Sequence, residues 1–258
     1  MSTGRQGRGR GLPRGAAVQD RAWRDHRRTD PVRQAGSDGA DGRKCRVALD
    51  LARIGGHSPG VPRPPRTSLR RLARRRLLAE LAARAVTPHR ALAPWLERAR
   101  AAGVPARALA ELGLMLHLYA GFPSSIEFLR ALREAEPARA RARRGPVGAS
   151  HGASSMHARG VRLCARVYGP EYARLRGFMR ALSPDLDRWM IDGGYGRVLS
   201  RPGLGVVERE LCTVAALAAL GWERQLDAHR RGAERVGASR AEVRGAERRG
   251  RALGRAGA

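Results

Sequence analysis

Residues 194–237, GYGRVLSRPGLGVVERELCTVAALAALGWERQLDAHRRGAERVG, combine strong helical periodicity with polar groups that could carry chemistry. From about Gly205 to Leu220, apolar residues recur at spacings of three and four, which is the period of one helix face. Gly221 ends this helix, and a second helix follows it. Gly237 then stands where a left-handed C-cap belongs. The stretch therefore predicts a helical hairpin.

Two polar residues of this hairpin are placed to meet. His229 lies on the apolar stripe of the second helix, so its imidazole is predicted to point inward. Glu210 falls one residue off the stripe of the first helix, in line with Val214 and Leu217, at the edge of the helix pair. A carboxylate and an imidazole at one seam can orient each other, and such a pair could be catalytic. A single histidine on an apolar stripe is also typical of a hydrogen-bonded core residue, so both interpretations stay open.

The composition favours an all-α fold. Hydrophobic residues make up 42% of the 258 residues, but aromatic residues only 4%, so the core must be built from alanine, leucine and valine. Small side chains let helices approach closely. A chain rich in Ala, Leu, Arg and Glu, with almost no β-branched runs, is typical of helices rather than strands.

The formal net charge of +28 would ordinarily indicate a nucleic-acid partner. Here the arginines are scattered through every segment rather than gathered on one helix face among aromatic residues. Lys44 is the only lysine among 51 Lys and Arg residues, which points to a compositional bias of the whole chain. We therefore expect no nucleic-acid partner.

The cysteines support neither a disulfide framework nor a metal site. Cys45, Cys164 and Cys212 are far apart and form no C-x-x-C or other metal-type spacing. This usage fits a reducing cytoplasm. No apolar run reaches the roughly 18 residues that span a bilayer, so we expect no membrane association.

The chain divides into four segments by composition and periodicity. Residues 1–66 are rich in Gly, Arg, Pro, Asp and Ser and are predicted to be a disordered basic extension, either unstructured or in contact with an acidic partner. Residues 67–136 form a first helical repeat unit. Residues 137–159 have no periodicity and are predicted to be a flexible linker, and residues 160–258 form a second helical unit that holds the candidate site.

Local signals predict where individual helices begin and end. A helix is expected from Ser68 to Ala85, and Thr87-Pro88 predicts an N-cap with proline at the first position of the next helix. Pro105 begins a third helix, which Gly121-Phe122-Pro123 interrupts. In the second unit, Ser183-Pro184-Asp185 predicts a new helix start.

The two units are related by an internal repeat at an offset of 134 residues, which brings Arg75 onto Arg209 and Gly103 onto Gly237. The first copy lacks the polar pair, because Arg76 and Trp95 stand where the second copy has Glu210 and His229. Ser239 and Glu242 form a capping box that begins a last helix. Its glycine-containing end, RRGRALGRAGA, predicts that this helix is short, degenerate or truncated.

Several of these blocks resemble the carboxymuconolactone decarboxylase family. In the second unit they are residues 195–204, 209–211 and 213–221, with Leu226, His229, the pair Gly232-Ala233 and Gly237. In the first unit, residues 119–123 are similar to the aromatic-Gly-x-Pro segment that begins the last helix of that family. The resemblance covers roughly residues 70–135 and 160–247. It implies an all-α bundle of helical hairpins that assembles as a homo-oligomer, often a trimer or hexamer.

The resemblance also implies an activity, cofactor-independent decarboxylation of a small carboxylated lactone or a related metabolite. One alternative is a catalytically silent helical oligomer or interaction module that keeps only the fold. A second alternative is peroxide reduction, as in the related alkylhydroperoxidase-D-like branch, which uses a C-x-x-C pair between a glutamate and a histidine. In this chain those two cysteine positions hold Trp222 and Gln225, while Glu210 and His229 keep the other two.

Decarboxylation without a cofactor requires an acid to protonate the carbon left behind and cations to hold the carboxylates. His229 is the candidate proton donor and Glu210 the residue that orients it. Arg201 is the candidate carboxylate clamp, although in so arginine-rich a chain a solvated surface group is an alternative. Tyr195 and Trp222 complete the predicted substrate-binding residues. Tyr195 could instead pack against Trp189.

Overall fold

The predicted hairpin is present in the computed structural model. Helix α8, Val206–Leu220, ends at Gly221, which has a φ of 73°, and helix α9, Glu223–Arg235, is followed by Gly237 with a φ of 111°. Both stops use the left-handed region, where a side chain with a Cβ is strained. The hydrophobic period and the two glycines therefore define these helices as expected.

The structure describes residues 66–87, 91–136 and 153–255, which all belong to one compact unit, Val61–Ala258. The described residues contain helices and no strand, as the all-α prediction requires. None of the described helices is long and apolar enough to cross a membrane. The remaining helices are α1 Arg66–Ala85, α2 Ala93–Ala101, α3 Ala106–Met115, α4 His117–Glu134, α5 Ala153–Tyr168, α6 Tyr172–Leu182, α7 Pro184–Trp189 and α10 Arg240–Arg255, with a 3-10 turn Gly169–Glu171 and a π-helix Met190–Leu199.

Helix α8 is the centre of the fold. Its periodicity predicts one apolar face, yet every residue from 209 to 218 is buried, because α1, α9 and α10 pack around it. The alanines between its larger apolar residues let these neighbours approach from several sides. Burial of Leu211, Val214 and Leu217 contributes about 2 kcal/mol each. Any polar side chain on this helix is consequently drawn into the interior.

The last helix is at least as long as α8 and α9, so the prediction of a short last helix is wrong. Helix α10 runs for 16 residues, and the capping box at its start is formed: the Ser239 backbone N–H donates to Glu242 Oε2 at 2.9 Å, and the Glu242 N–H donates to Ser239 Oγ at 3.3 Å. Gly250 and Gly254 lie at the contact with α8 rather than at a break. A Cβ on Gly250 would stand 2.2 Å from the Ala215 carbonyl oxygen, so only glycine permits this approach.

The internal repeat corresponds to repeated helices. Helices α1, α2 and α3 match α8, α9 and α10 at the 134-residue offset, which places the first residue of α3, Ala106, on the first residue of α10, Arg240. The two hairpins do not form separate bodies, because α1 packs directly on α8 and α10. Helix α4 has no counterpart after α10 among the described residues.

Some local boundaries differ from the sequence prediction. Thr87 is not an N-cap: its hydroxyl donates to the Ala83 carbonyl oxygen at 2.9 Å at the end of α1, and α2 begins at Ala93 with a proline in its first turn. Residues 153–159, assigned to the linker, form the first turns of α5. The rest of the linker, and the predicted extension up to residue 65, lie outside the described residues.

Other boundaries are confirmed. Gly121 interrupts α4 with a φ of 74° and a ψ of 176°. The Ser183 hydroxyl caps α7 by accepting from the Leu186 N–H at 3.3 Å. The sequence gives no sign of the π-helix that follows, whose wide turn ends with a bond from the Ser200 N–H to the Tyr195 carbonyl oxygen at 2.9 Å.

Candidate functional site

His229 of α9 and Glu210 of α8 form a buried pair. The distance between His229 Nδ1 and Glu210 Oε2 is 2.9 Å, and the two residues are 9% and 2% exposed. Since an ionised carboxylate can only accept, Nδ1 is the nitrogen that carries the proton and donates it. Among the described residues, the other ring nitrogen, Nε2, has no hydrogen-bond partner. The pair thus leaves one imidazole nitrogen available to a ligand.

An aromatic residue that the sequence analysis did not identify packs against this imidazole. Tyr168, the last residue of α5, meets the His229 ring edge-on with 5.9 Å between centroids. Tyr195 of the π-helix meets Tyr168 edge-on in turn, with 6.4 Å between ring centroids. Burial raises the pKa of both phenols, so both stay neutral at physiological pH. Tyr195 therefore reaches the histidine only through Tyr168, and the exposed Trp189 is not its ring partner.

A glycine makes room for the Glu210 carboxylate. A Cβ placed on Gly232 of α9 would lie 3.0 Å from Glu210 Oε2 and 2.8 Å from Val167 Cγ1. Any larger residue would therefore displace either the carboxylate or the α5 side chain that backs it. Gly232 is one turn after His229, so α9 supplies both the imidazole and the space for its partner.

The first unit also contributes to the surroundings of Glu210. The Tyr119 hydroxyl of α4 bonds with Thr213 Oγ1 at 2.6 Å, and Thr213 donates onward to the Arg209 carbonyl oxygen at 2.9 Å. Because Thr213 uses its hydrogen on the carbonyl, Tyr119 must donate. Burial, and to a smaller extent the Glu210 charge, raises the pKa of Tyr119 well above its usual range. A neutral phenol thus stands near the pair on the side of the first unit.

Arg201 does not join the pair, because its guanidinium is already bound by a buried carboxylate. Its Nε lies 2.9 Å from Glu111 Oε2, and its Nη2 lies 3.0 Å from Glu111 Oε1. Arg209 Nη2 approaches the same carboxylate at 3.1 Å. This two-pronged geometry is the one predicted for a substrate carboxylate, but an internal residue occupies it. The one sequence signal for Glu111 is a lone charge inside the apolar run LALAELGLM.

Trp222, the third predicted substrate-binding residue, lies at the N-terminal boundary of α9 and is 56% exposed. The structure gives it no ring contact with His229 or the tyrosines. Of the five predicted site residues, the fold therefore brings His229 and Glu210 into direct contact and places Tyr195 one residue away. Arg201 and Trp222 stand apart from that pair.

The thiols within the described residues are poor nucleophiles. Cys164 and Cys212 are free and completely buried. Burial raises the pKa of Cys164 to about 12 and that of Cys212 well above its usual range, so neither forms a thiolate near neutral pH. The third cysteine, Cys45, lies outside the described residues. Within the described part of the chain, no group of three or more His, Cys, Asp or Glu side chains could hold a metal ion.

The equivalent position in the first unit has a structural role. Trp95, which aligns with His229, is sandwiched between the guanidinium groups of Arg84 and Arg98 at 4.3 and 4.2 Å from its ring centroid. Arg76, which aligns with Glu210, is exposed. The polar pair therefore occurs once in the two related hairpins.

The comparisons with known proteins find a family match within the second helical unit. The model of the carboxymuconolactone decarboxylase family matches residues 184–256, which include α7 to α10 and the whole hairpin that carries the pair. No curated protein and no solved structure gave a significant match. The wider resemblance, over roughly residues 70–135 and 160–183, stays a prediction. Residues 184–256, with His229 and Glu210 among them, are thus similar to the carboxymuconolactone decarboxylase family.

Proposed function

We propose that the protein decarboxylates a small carboxylated lactone, or a related metabolite, without a cofactor. The observation that supports this most directly is the His229–Glu210 pair, which is buried, mutually oriented and open at one imidazole nitrogen. The match of residues 184–256 to the model of the carboxymuconolactone decarboxylase family supports the reaction class. The substrate itself follows from neither observation and is the subject of the test.

The proposed chemistry needs one proton at one carbon. The bond between the substrate carbon and its carboxylate breaks, CO₂ leaves, and the electron pair passes into the conjugated lactone carbonyl. Protonated His229 then donates from Nε2 to that carbon and becomes a neutral imidazole, which takes up a proton from water before the next turnover. Glu210 holds Nδ1–H throughout, so it fixes the direction in which Nε2 points.

The reaction also needs a cation that holds the substrate carboxylate. Arg201 cannot supply this cation while its guanidinium is paired with Glu111. A positive charge is available on α9: Arg231 follows His229 by two residues, and its charge acts weakly on the pKa of Tyr168, whose ring packs on His229. Arg231 is exposed, and within the described ranges its one ion pair is with Asp227, which Arg230 also contacts; Arg231 Nη1 lies 3.3 Å from Asp227 Oδ2. We therefore assign the carboxylate-binding role to Arg231 in preference to Arg201.

A second candidate function is a catalytically silent helical oligomer. The internal occupation of Arg201 favours it, and so do the large apolar side chains that are exposed among the described residues: Leu69, Phe122, Ile126, Leu182, Leu186, Trp189 and Trp222. Contiguous exposed apolar patches are typical of surfaces covered by another protein, and Leu182, Leu186 and Trp189 are close together in sequence. We propose a homo-oligomer under either function, because assembly would cover these side chains without altering the buried pair.

The test is turnover of carboxymuconolactone by the purified chain, followed as CO₂ release. The wild type is compared with His229→Gln and with His157→Gln, a control histidine that is exposed and paired with Asp192 on the protein surface. Under the proposal, His229→Gln loses activity while His157→Gln keeps it. A folded wild type that turns over neither this lactone nor a panel of related carboxylated lactones would leave the silent oligomer as the function.

A further inference from the structure

A cleft that neither of the two proposed functions uses lies among helices α1, α8 and α10. Its cavity volume is about 370 Å³, which is within the size range of small-molecule sites. Residues from α1 and α10 form its walls, and neither His229 nor Glu210 lines it. The cleft is therefore a separate feature of the molecule.

Four arginines line this cleft, and one of them is fully paired. Arg75 donates to Glu208 Oε1 at 2.7 Å and to Glu242 Oε1 at 2.8 Å, so its charge is balanced within the protein. Glu242 is the only acidic residue among those that line the cleft. The remaining three arginines thus face the cavity without a lining carboxylate of their own.

These three are Arg76 on α1 and Arg248 and Arg249 on α10. Arg249 donates from Nη1 to the Gly245 carbonyl oxygen at 2.8 Å, and its carboxylate contact is distant, with 3.8 Å between its Nε and Glu80 Oε2. Within the described part of the chain, Arg76 and Arg248 have neither an ion pair nor a hydrogen bond. Burial, and then the charges of Arg76 and Arg248, lower the pKa of Arg249. The cluster therefore carries mutual repulsion that a bound anion would relieve.

The floor of the cleft is apolar. Ala79 of α1, Leu211 of α8 and Ala246 of α10 line it, and all three are buried. Arg76 and Arg248 line the cleft from different helices, α1 and α10. A simple inorganic anion would satisfy the guanidinium groups but would leave the floor facing water, whereas a ligand with an apolar body between two anionic groups would use both.

We propose that this cleft binds a small organic dicarboxylate, with one carboxylate held by Arg76, the other by Arg248 and Arg249, and its apolar body on Ala79, Leu211 and Ala246. A guanidinium binds a carboxylate through two parallel N–H donors, which suits recognition of this group. The site is independent of the proposed decarboxylation, since no residue of the pair takes part in it.

The probe is phthalate, compared with benzoate and inorganic phosphate at equal ionic strength. Binding is measured by calorimetry, and its place is identified by protection of residues 239–249 from hydrogen exchange. The variant Arg76→Gln/Arg248→Gln removes two unpaired guanidinium groups. The matched control is Arg71→Gln/Arg244→Gln, which removes the same charge from exposed arginines of the same two helices that do not line the cleft.

We expect saturable 1:1 binding of phthalate with protection of residues 239–249, weakened at least tenfold in the cleft variant and less than twofold in the control. Benzoate and phosphate should bind at least several-fold more weakly than phthalate. Equal weakening in both double variants would overturn the proposal, because binding would then follow net charge alone. Phosphate binding as tight as phthalate binding, or no protection of residues 239–249, would overturn it as well. Melting temperatures of both variants report whether the fold is intact.

Discussion

Glu210 on one helix of the hairpin and His229 on the next are joined by a single hydrogen bond of 2.9 Å, in a helix pair whose buried residues are mostly apolar. Burying two ionisable groups destabilises the fold unless they are paired with each other by a hydrogen bond. The contact has a structural role in any case. Whether it also has a chemical role is decided by separating stability from turnover.

Replacing His229 by glutamine gives that separation. Glutamine keeps a hydrogen-bonding side chain of similar reach, so the free energy of unfolding should fall by only about 1–2 kcal/mol. Turnover should fall by roughly a hundredfold or more, because glutamine cannot donate a proton in the way imidazolium does. Denaturant unfolding and CO₂ release measure the two quantities. Activity within a few-fold of the wild type would show that His229 only packs.

Glu210→Gln tests orientation rather than proton transfer. An amide can still contact Nδ1, but it no longer selects the tautomer that carries the proton there. We expect kcat to fall roughly ten- to a hundredfold with little change in KM, since Glu210 does not contact the substrate. A variant that changes KM and leaves kcat intact would contradict this role.

Gly232→Ala tests the space behind the carboxylate. Alanine in a helix gains about 1 kcal/mol over glycine, but the new Cβ would stand 2.8 Å from Val167 Cγ1, and such overpacking costs about 1–3 kcal/mol. We expect a net loss of stability. The double variant Gly232→Ala/Val167→Ala removes the clash with the valine and should recover part of that loss relative to Val167→Ala alone. A gain in stability from Gly232→Ala alone would contradict this expectation, because it would show that Val167 moves aside at little cost.

Arg201→Gln should behave as a structural variant. Glu111 keeps Arg209 but loses two of its donors, which we expect to cost about 2–3 kcal/mol of unfolding free energy. KM should stay unchanged, because the guanidinium is not free to hold a substrate. In a double-mutant cycle with Glu111→Gln, the two effects should be non-additive. A rise in KM of tenfold or more, with stability unchanged, would restore Arg201 as the substrate clamp.

The sequence predicts the hairpin well, because the hydrophobic spacing along each helix and the glycines that end the helices are local signals. It predicts α10 poorly for a related reason: Gly250 resembles a helix breaker in sequence, and its role as a contact with Ala215 depends on a helix 35 residues earlier. Tyr168 and Glu111 were missed because their partners come from distant segments. A charge in an apolar run, such as Glu111, indicates an internal partner but does not identify it.

The ion pair between Arg176 and Asp187 gives a prediction on pH. Arg176 Nη2 lies 2.8 Å from Asp187 Oδ2, its Nε bonds the other carboxylate oxygen, and Asp187 is buried. The hydrogen bonds from Arg176 lower the pKa of Asp187 in the folded protein. A carboxyl group with a lowered folded pKa stabilises the fold above its unfolded pKa of about 3.9, and this contribution is lost as the pH falls through the folded value.

Unfolding free energy measured between about pH 5 and pH 2 should therefore decrease more steeply with acid in the wild type than in Asp187→Asn. At neutral pH the variant should be less stable by on the order of 3 kcal/mol, since it leaves Arg176 without its partner. The exposed pair Arg188 and Asp185, on the same helix, supplies the control: its i,i+3 contact is open to solvent, and Asp185→Asn should change stability by less than about 0.5 kcal/mol. If the unfolding free energy falls equally with acid in the wild type and in Asp187→Asn, this carboxyl group titrates alike in the folded and unfolded chain. The contact between α6 and α7 would then depend on packing rather than on the ion pair.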